Sequence, residues 1–435
     1  MKFSNSLLVA SCLGEKYGKD ERSRFGPQIE ETRRCDLDKS MAPVISTFSH
    51  ISNIIGPKLA QELAMESDLY SLENVMVSPV TMVVQLGLLH EGADGQTKAE
   101  IEEALKLPES GIIEAIEYLS NRFQCIDNVT MRNALFLDSS FPATAYFARR
   151  VQSTKSNVFK VDFAESPELS RAIINQWSAG PGRLGSTLPE GSVEESTSML
   201  FLSSMDFNSK WAVKFDERVT IAPFYLPDGS RTSVEMMQTQ TAMPFILNCN
   251  DYPNYQDCVN DDFVPTMITL PMEDPNIQLN IIVPNDQLPL HAIMTMSGMW
   301  LPYWRHLVDG KIDEILLNLP KVSTTTKTDL TKSYFDLGMT TISQPLIADF
   351  SRITDQQGLS VSTVFQENRL KWDIEGAFAG LQIGAVLKNG IAPSARGGRF
   401  SSLTEVTIDR PFVFAITDRA TDTNLFLGII NNPKE

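Results

Sequence analysis

Two hydrophobic rhythms run along the chain: apolar residues at three-to-four-residue steps, and short continuous apolar runs. Val44, Phe48, Ile51, Ile55, Leu59 and Leu63 keep the first rhythm and mark one face of an amphipathic helix, with Gly56-Pro57 predicting a bend. Residues 74–108 read as strand, helix, turn and helix. Ser78 followed by Pro79 is a cap with a first-turn proline, Gly92 and Gly95 stop that helix, and Thr97 with Glu100 forms a capping box ahead of Ile101 and Leu105. The second rhythm appears in 131-MRNALFLD-138, 199-MLFLSSMDF-207, 278-QLNIIVP-284 and 315-ILLNLPKV-322, all bounded by turn residues and read as strands. Helical spacing returns around residues 168–177 and 329–338. Residues 404–418 and 422–435 read as paired strands with a polar turn between them. No repeat of about 20–50 residues occurs, and no linker divides the chain after residue 43. The pattern therefore predicts one α+β domain over residues 44–435, behind a charged, broken tail over residues 15–43.

Composition narrows the function classes. The 435 residues are 42% hydrophobic and 21% charged, ordinary for a globular chain, and the formal net charge is −17. That charge, with no clustered Lys and Arg, excludes a nucleic-acid surface. No apolar run reaches the roughly 18 residues of a membrane helix. Lys2 followed by the short apolar stretch Leu7 to Leu13 reads as a minimal secretory signal over residues 1–14, so the expected location is extracellular. Cleavage of that leader would remove Cys12 and leave Cys35, Cys125, Cys249 and Cys258. The last two flank a turn-rich segment that a disulfide could close, and buried free thiols are the alternative. Asn128-Val129-Thr130 is a glycosylation acceptor on a secretory route.

Catalytic chemistry finds no support. His50, His90, His291 and His306 stand at no metal-ligand spacing, 90-HEGAD-94 lacks the second histidine of a zinc protease, and no G-x-S-x-G occurs. The literal G-x-G-x-x-G at 180-GPGRLG-185 follows a polar helical pattern rather than a strand and reads as a surface turn. The expectation is a protein that is not an enzyme and uses no metal or cofactor.

From about residue 44 onward, motifs in a fixed order resemble the serpin family. 74-NVMVSP-79 and 92-GADGQT-97 resemble its N-x-x-x-S-P and G-A-x-G-x-T signatures, and 133-NALF-136 its N-A-L-F strand start. Phe207, Trp211 and Phe215, then Val234, Met236 and Met237, fit its aromatic and V-x-M-M blocks. Leu319-Pro320-Lys321, Leu337-Gly338-Met339 and 348-ADFS-351 follow, with Arg410-Pro411-Phe412, 425-LFLG-428 and Asn432-Pro433 closing the chain. The resemblance implies a serpin fold: three β-sheets, about eight or nine surrounding helices and an exposed reactive loop, here about residues 374–405. It implies a monomer whose partner is a serine protease. Residues 109–124, where some serpins carry basic residues, contain only Arg122, so no heparin site is expected.

Under this resemblance, 374-IEGAFAGLQIGA-385 is the hinge of a loop that must also serve as a strand. Ala377, Ala379, Leu381, Ile383 and Ala385 alternate onto one apolar face. The hinge set Ile374, Glu375, Gly376, Ala377, Phe378, Ala379, Gly380 and Leu381 departs from the family at Ile374, where a glutamate is usual, and at Phe378 and Leu381, as does Gln382 beyond it. Phe378 is expected to face solvent after insertion. Beneath the insertion path, Ser78 and Thr81 join Ser203 and Gln366, which replace an Asn and a His; their hydroxyl and amide could still bond each other. Counting about 14 residues forward from Gly376 places the bait residue at Gly390. Counting about 11–15 back from Pro411 places it between Arg396 and Arg399 or Phe400. Arg396-Gly397 is the preferred bond, because arginine fits a trypsin-like pocket with an acidic floor; Arg399 and Gly390 are the alternatives. The main expectation is bait for a trypsin-like serine protease, as an inhibitor. The runner-up is a non-inhibitory carrier, storage protein, chaperone or decoy substrate.

Overall fold

The three-to-four spacing at the start of the domain becomes helix α1 (Ala42–Glu66), which runs through Pro57 without interruption. A Cβ on Gly56 would lie 2.4 Å from the Pro79 ring, so the glycine lets α1 press against the start of α2 (Pro79–Gly92). Every residue of α2 is buried, as expected of a helix apolar on all sides. The computed structural model describes residues 42–66, 72–105, 111–125, 129–179, 188–248, 251, 264–287, 289–290, 293, 311–379 and 404–434. Within them lie α3 (Gly95–Leu105), α4 (Ile112–Cys125), α5 (Ala145–Ser153), α6 (Pro167–Ala179) and the short α7 (Thr331–Asp336).

The capping readings change. Ser78 does occupy the position before α2, but its hydroxyl caps nothing in that helix. Helix α3 begins at Gly95, which puts Thr97 inside its first turn. The Thr97 hydroxyl instead accepts from the Asp349 amide at 2.9 Å, and Glu100 accepts from the Thr341 amide at 2.8 Å. Tertiary partners thus take both side chains of the expected box and tie α3 to residues 340–349.

Six strands form one sheet in the order β10-β11-β12-β4-β2-β3. These are β2 (Val129–Asp138), β3 (Asn157–Val161), β4 (Met199–Lys210), β10 (Val322–Asp329), β11 (Thr363–Trp372) and β12 (Gly376–Ala379). The other nine are β1 (Val75–Val77), β5 (Thr220–Tyr225), β6 (Arg231–Ile246), β7 (Thr266–Pro271), β8 (Ile277–Val283), β9 (Lys311–Pro320), β13 (Thr404–Thr407), β14 (Phe412–Asp418) and β15 (Thr423–Ile430). Their order is β1-β15-β14-β8-β7-β6-β9-β13, with β5 on β6. Among the described residues, strands therefore join into two networks where three sheets were expected. The reason is the 16-residue length of β6, which pairs with β5 at its start, β9 through its middle and β7 at its end. The apolar run at 315–322 also divides, ending β9 at Pro320 and starting β10 at Val322. Residues 404–418 split likewise: β13 runs parallel to β9, and only β14 pairs with β15.

The main core lies where both sheets meet α2, with Phe207 beside Phe426 and Trp372 beside Phe414. A second cluster packs Ala60 of α1 with Val413, Ala415 and Ile429 of the larger sheet. A third sets Ile174 of α6 with Phe136, Leu202 and Phe365 on the opposite face of the six-stranded sheet. The smaller sheet is thus covered on both faces, which suits its near-continuous apolar strands.

Candidate functional site

The hinge folds as a hairpin. After β11 the chain turns through Asp373–Glu375 and returns as β12, with the Asp373 amide donating to the Gly376 carbonyl at 2.9 Å and the Glu375 amide to Asp373 Oδ1 at 2.9 Å. Trp211, just past β4, holds this turn: its indole donates to the Asp373 carbonyl at 2.7 Å, and its amide reaches the Glu375 carbonyl at 3.4 Å. Lys371 pairs with Asp373 at 3.3 Å. Ile374 is half-buried and packs against the main core, so the residue replacing a hinge glutamate acts here as an apolar anchor.

Strand β12 lies between β11 and β4. Ala377 is opposite Trp372 on one side and Ser209 on the other, and Phe378 is opposite Lys371 and Asn208. Ala377 is fully buried. Gly376 is fixed by crowding: a Cβ there would sit 2.2 Å from the Ser209 carbonyl oxygen. Beyond the reach of β12, β4 and β11 close on each other in parallel, pairing Leu200–Ser204 with Thr363–Glu367. The hinge thus occupies the open end of a seam. Within the segment that looked both loop-like and strand-like, Gly376–Ala379 is a strand after a turn through Ile374 and Glu375.

Four expected support residues gather on the inner face of this seam, in a different pairing. Ser203 and Gln366 are direct neighbours in register, yet their side chains do not bond each other. Ser203 donates to Asn133 Oδ1 on β2 at 2.5 Å. Gln366 turns to the start of α2, accepting from the Ser78 amide at 2.8 Å and donating to the Ser78 carbonyl at 3.1 Å and Thr81 Oγ1 at 2.7 Å. Glutamine reaches past the hydroxyl because its longer stem brings the amide to the helix terminus. Asn368 adds bonds to Gln366 and to the Met76 carbonyl, and the Ser78 hydroxyl points to Met205 Sδ at 3.6 Å. One turn along α2, the buried Tyr334 hydroxyl donates to Gln85 at 3.0 Å, and burial raises its phenol far above the usual range.

Asn133, Asn368, Met205 and Trp211 were absent from the sequence reading of the site. Two carried a visible signal: Asn133 interrupts the inward face Met131, Leu135, Leu137, and Asn368 interrupts Val364, Leu370, Trp372. The hinge residues Gly380 and Leu381, the bait candidates Gly390, Arg396, Gly397 and Arg399, and Asn128 lie outside the described residues, as does the side chain of Phe378. Among the described residues no three His, Cys, Asp or Glu side chains converge on a metal site. His90 is buried and bonded to Glu102 at 2.9 Å, a structural role. No described helix is long and apolar enough to cross a membrane.

The hinge strand β12 is thus seated part-way between β4 and β11. The family model described as serpin (serine protease inhibitor) matches residues 51–433, and the chain belongs to this family. Plasminogen activator inhibitor 1 of Bos taurus is 26% identical over 89% of this chain and 93% of its own length. Glia-derived nexin of Mus musculus is 28% identical over 83% of this chain and 88% of its own. Among solved structures, a thyroxine-binding globulin complex with thyroxine superposes with TM-score 0.74 at 21% identity, covering 89% of this chain and 99% of its own. Human glycosylated kallistatin follows at TM-score 0.73 and 21% identity, covering 91% and 98%. At such identities the solved structures speak for the fold alone.

Proposed function

We propose that this chain is a secreted serpin that offers Arg396-Gly397 to a trypsin-like serine protease and inhibits it by inserting its cleaved loop between β4 and β11. One observation carries the reading: Gly376–Ala379 are paired along β4, and Ala377 and Phe378 are also paired with β11 on the other side. Ile374 stands in the turn before β12 and the backbone of Phe378 is paired within it, which supports entry of the hinge despite these departures.

The remaining departures lie deeper. Continuing both registers of β12 would set Leu381 between Met205 and Asn368, Ile383 between Ser203 and Gln366, and Gly384 between Leu202 and Phe365. Gly384 would then fall where α6 packs on the sheet, a place that suits a residue without a side chain. Leu381 is the hard position, where overpacking costs about 1–3 kcal/mol. Its neighbour Met205 is unbranched and adaptable, which eases that cost. Inhibition is a race between insertion and hydrolysis of the acyl-enzyme, and about 1.4 kcal/mol of barrier shifts it tenfold.

Incubation with trypsin, followed by denaturing electrophoresis and mass analysis, tests the proposal. The expected result is a band at the summed mass of both proteins that survives denaturant, with the serpin fragment ending at Arg396. Cleavage without that band would overturn inhibition in favour of a decoy substrate, and cleavage after Arg399 would move the bait residue.

A further inference from the structure

Strand β3 is one edge of the six-stranded sheet, and among the described residues only β2 pairs with it. Like any edge strand it presents N–H and C=O groups without a strand partner. The chain carries a net charge of −17, yet residues 139–161, which run through α5 and β3, hold Arg149, Arg150, Lys155 and Lys160 and no Asp or Glu. Helix α5 lies against β3, so these cations gather at the sheet edge. Arg150 is taken by Glu91 and Glu114. Arg149, Lys155 and Lys160 are exposed and have no ion-pair partner among the described residues. Lys155 also stands in the left-handed region, at φ 61°, just past the end of α5, where glycine is usual. Its amide donates to the Gln152 carbonyl at 3.1 Å, and the Thr154 hydroxyl fixes the turn by donating to the Val151 carbonyl at 2.7 Å. A side chain there strains the backbone, and the chain places a lysine at that point.

We propose that this edge is a docking site for an acidic, extended segment of a partner protein, which adds to β3 as a further strand while its carboxylates meet Arg149, Lys155 and Lys160. In such additions the main-chain hydrogen bonds supply affinity and the side chains supply selectivity. Lysine on an edge strand commonly keeps other strands away. That role suits Lys160 against a second copy of this chain, whose own lysines would be repelled. It does not bar a strand that carries carboxylates. Nor does it account for Arg149, which lies on the helix, or for a lysine held in a strained turn. Asp162 and Glu165 follow β3 directly, so the cationic stretch ends there and the incoming carboxylates belong beside residues 149–160. The site stands apart from the seam, because β2 and β4 lie between β3 and the hinge strand β12.

The test uses the full chain and a short, capped, dye-labelled peptide of alternating glutamate and valine, with binding followed by fluorescence anisotropy. The expected result is saturable binding that weakens as salt rises. Arg149→Ser, Lys155→Gly and Lys160→Ser are each expected to weaken it by about two- to fivefold, and all three together by about tenfold or more. Lys155→Gly relieves the turn and is expected to keep or raise the melting temperature, so its loss of binding cannot come from unfolding. Two further peptides separate strand addition from simple charge attraction: one with lysine in place of glutamate, expected not to bind, and one N-methylated at every peptide bond, expected to bind at least tenfold more weakly. An N-methylated peptide that binds as tightly as the parent would overturn strand addition. No saturable binding of the parent peptide, or full binding by the triple variant, would overturn the site. Heparin that binds in its place, and is lost in the triple variant, would reassign the cations to a sulfated polysaccharide and sink the proposal. None of these outcomes depends on whether the chain traps a protease.

Discussion

The β4–β11 seam and the nine-stranded sheet are built from the same residue types and wired in opposite ways. In the larger sheet, β6 and β9 pair antiparallel over ten residue pairs, and polar side chains cross strand after strand. Thr269 on β7 bonds Asn280 on β8, which bonds Thr417 on β14, then Asn424 on β15 and Asn53 on α1. Asn318 on β9 bonds Gln238 on β6 together with Glu405 and Thr407 on β13. At the seam, five residue pairs close in parallel, and the strong side-chain bonds of the inner face stay on their own side. Cross-strand bonds make a sheet resist shear, whereas bonds confined to each side leave a boundary that can part. The same chain thus contains one sheet cross-linked strand to strand and one whose inner-face bonds stay on each side of a seam.

The comparison is most easily broken at Gly376. Gly376→Val would drive a side chain into the Ser209 carbonyl, so β12 cannot seat. The expected outcome is loss of the melting-temperature gain after cleavage and about tenfold or more loss of covalent complex. An undiminished gain would show that the hinge enters by another register. Next comes the buried pair Arg122–Asp418 at the end of β14, where Asp418 and its partners hold the fixed sheet to α4. Asp418→Ala strands a buried guanidinium and should cost about 3–5 kcal/mol. Urea unfolding should show intact and cleaved forms losing equally; a loss confined to one form would contradict the division between the two sheets. Asn318→Ala removes the bonds to Gln238 and Glu405, which water can partly replace, for an expected cost of about 0.5–1.5 kcal/mol and no change in insertion rate.

The smallest effect is a pH dependence at His90. Burial lowers its pKa below 6.5, against the opposing effect of its hydrogen bond to the Glu102 carboxylate. As pH falls through 6.5 the unfolded chain takes up a proton that the folded one refuses, so stability declines until the lower folded value is passed. His90→Gln should flatten that decline between about pH 7 and 5 without altering trapping of a protease. A variant that keeps the wild-type slope would assign the decline to other groups.

Much of this was legible in the pattern of the chain. The apolar runs gave β2, β4, β8 and most of β9 because each is buried on one face or both, and the motif order gave the family. The alternation of Ala377 and Ala379 gave the strand character of the hinge. What escaped had a common cause: side chains recruited by partners remote in sequence. Thr97 and Glu100 fit a local box, but residues 341 and 349 took them. Ser203 and Gln366 were correctly placed as neighbours, yet each found a better partner in Asn133 or Ser78. A two-residue argument cannot see a third residue that competes for the same hydrogen bond.

The C-terminus carries a consequence for the history of each molecule. Asn74, just before β1, accepts from the amides of Asn431 and Asn432 and donates to the Asn432 carbonyl, closing a loop of 357 residues. Among the described residues, strand β1 pairs with β15 alone. On the ribosome, the segment around β1 and α2 is therefore made early and completed only when β15 emerges, and its apolar surface waits for that strand. Contacts of such sequence separation fold slowly. A truncation that removes the last dozen residues should leave a chain that is synthesised in full and captured by chaperones or proteases, with its central helix never covered.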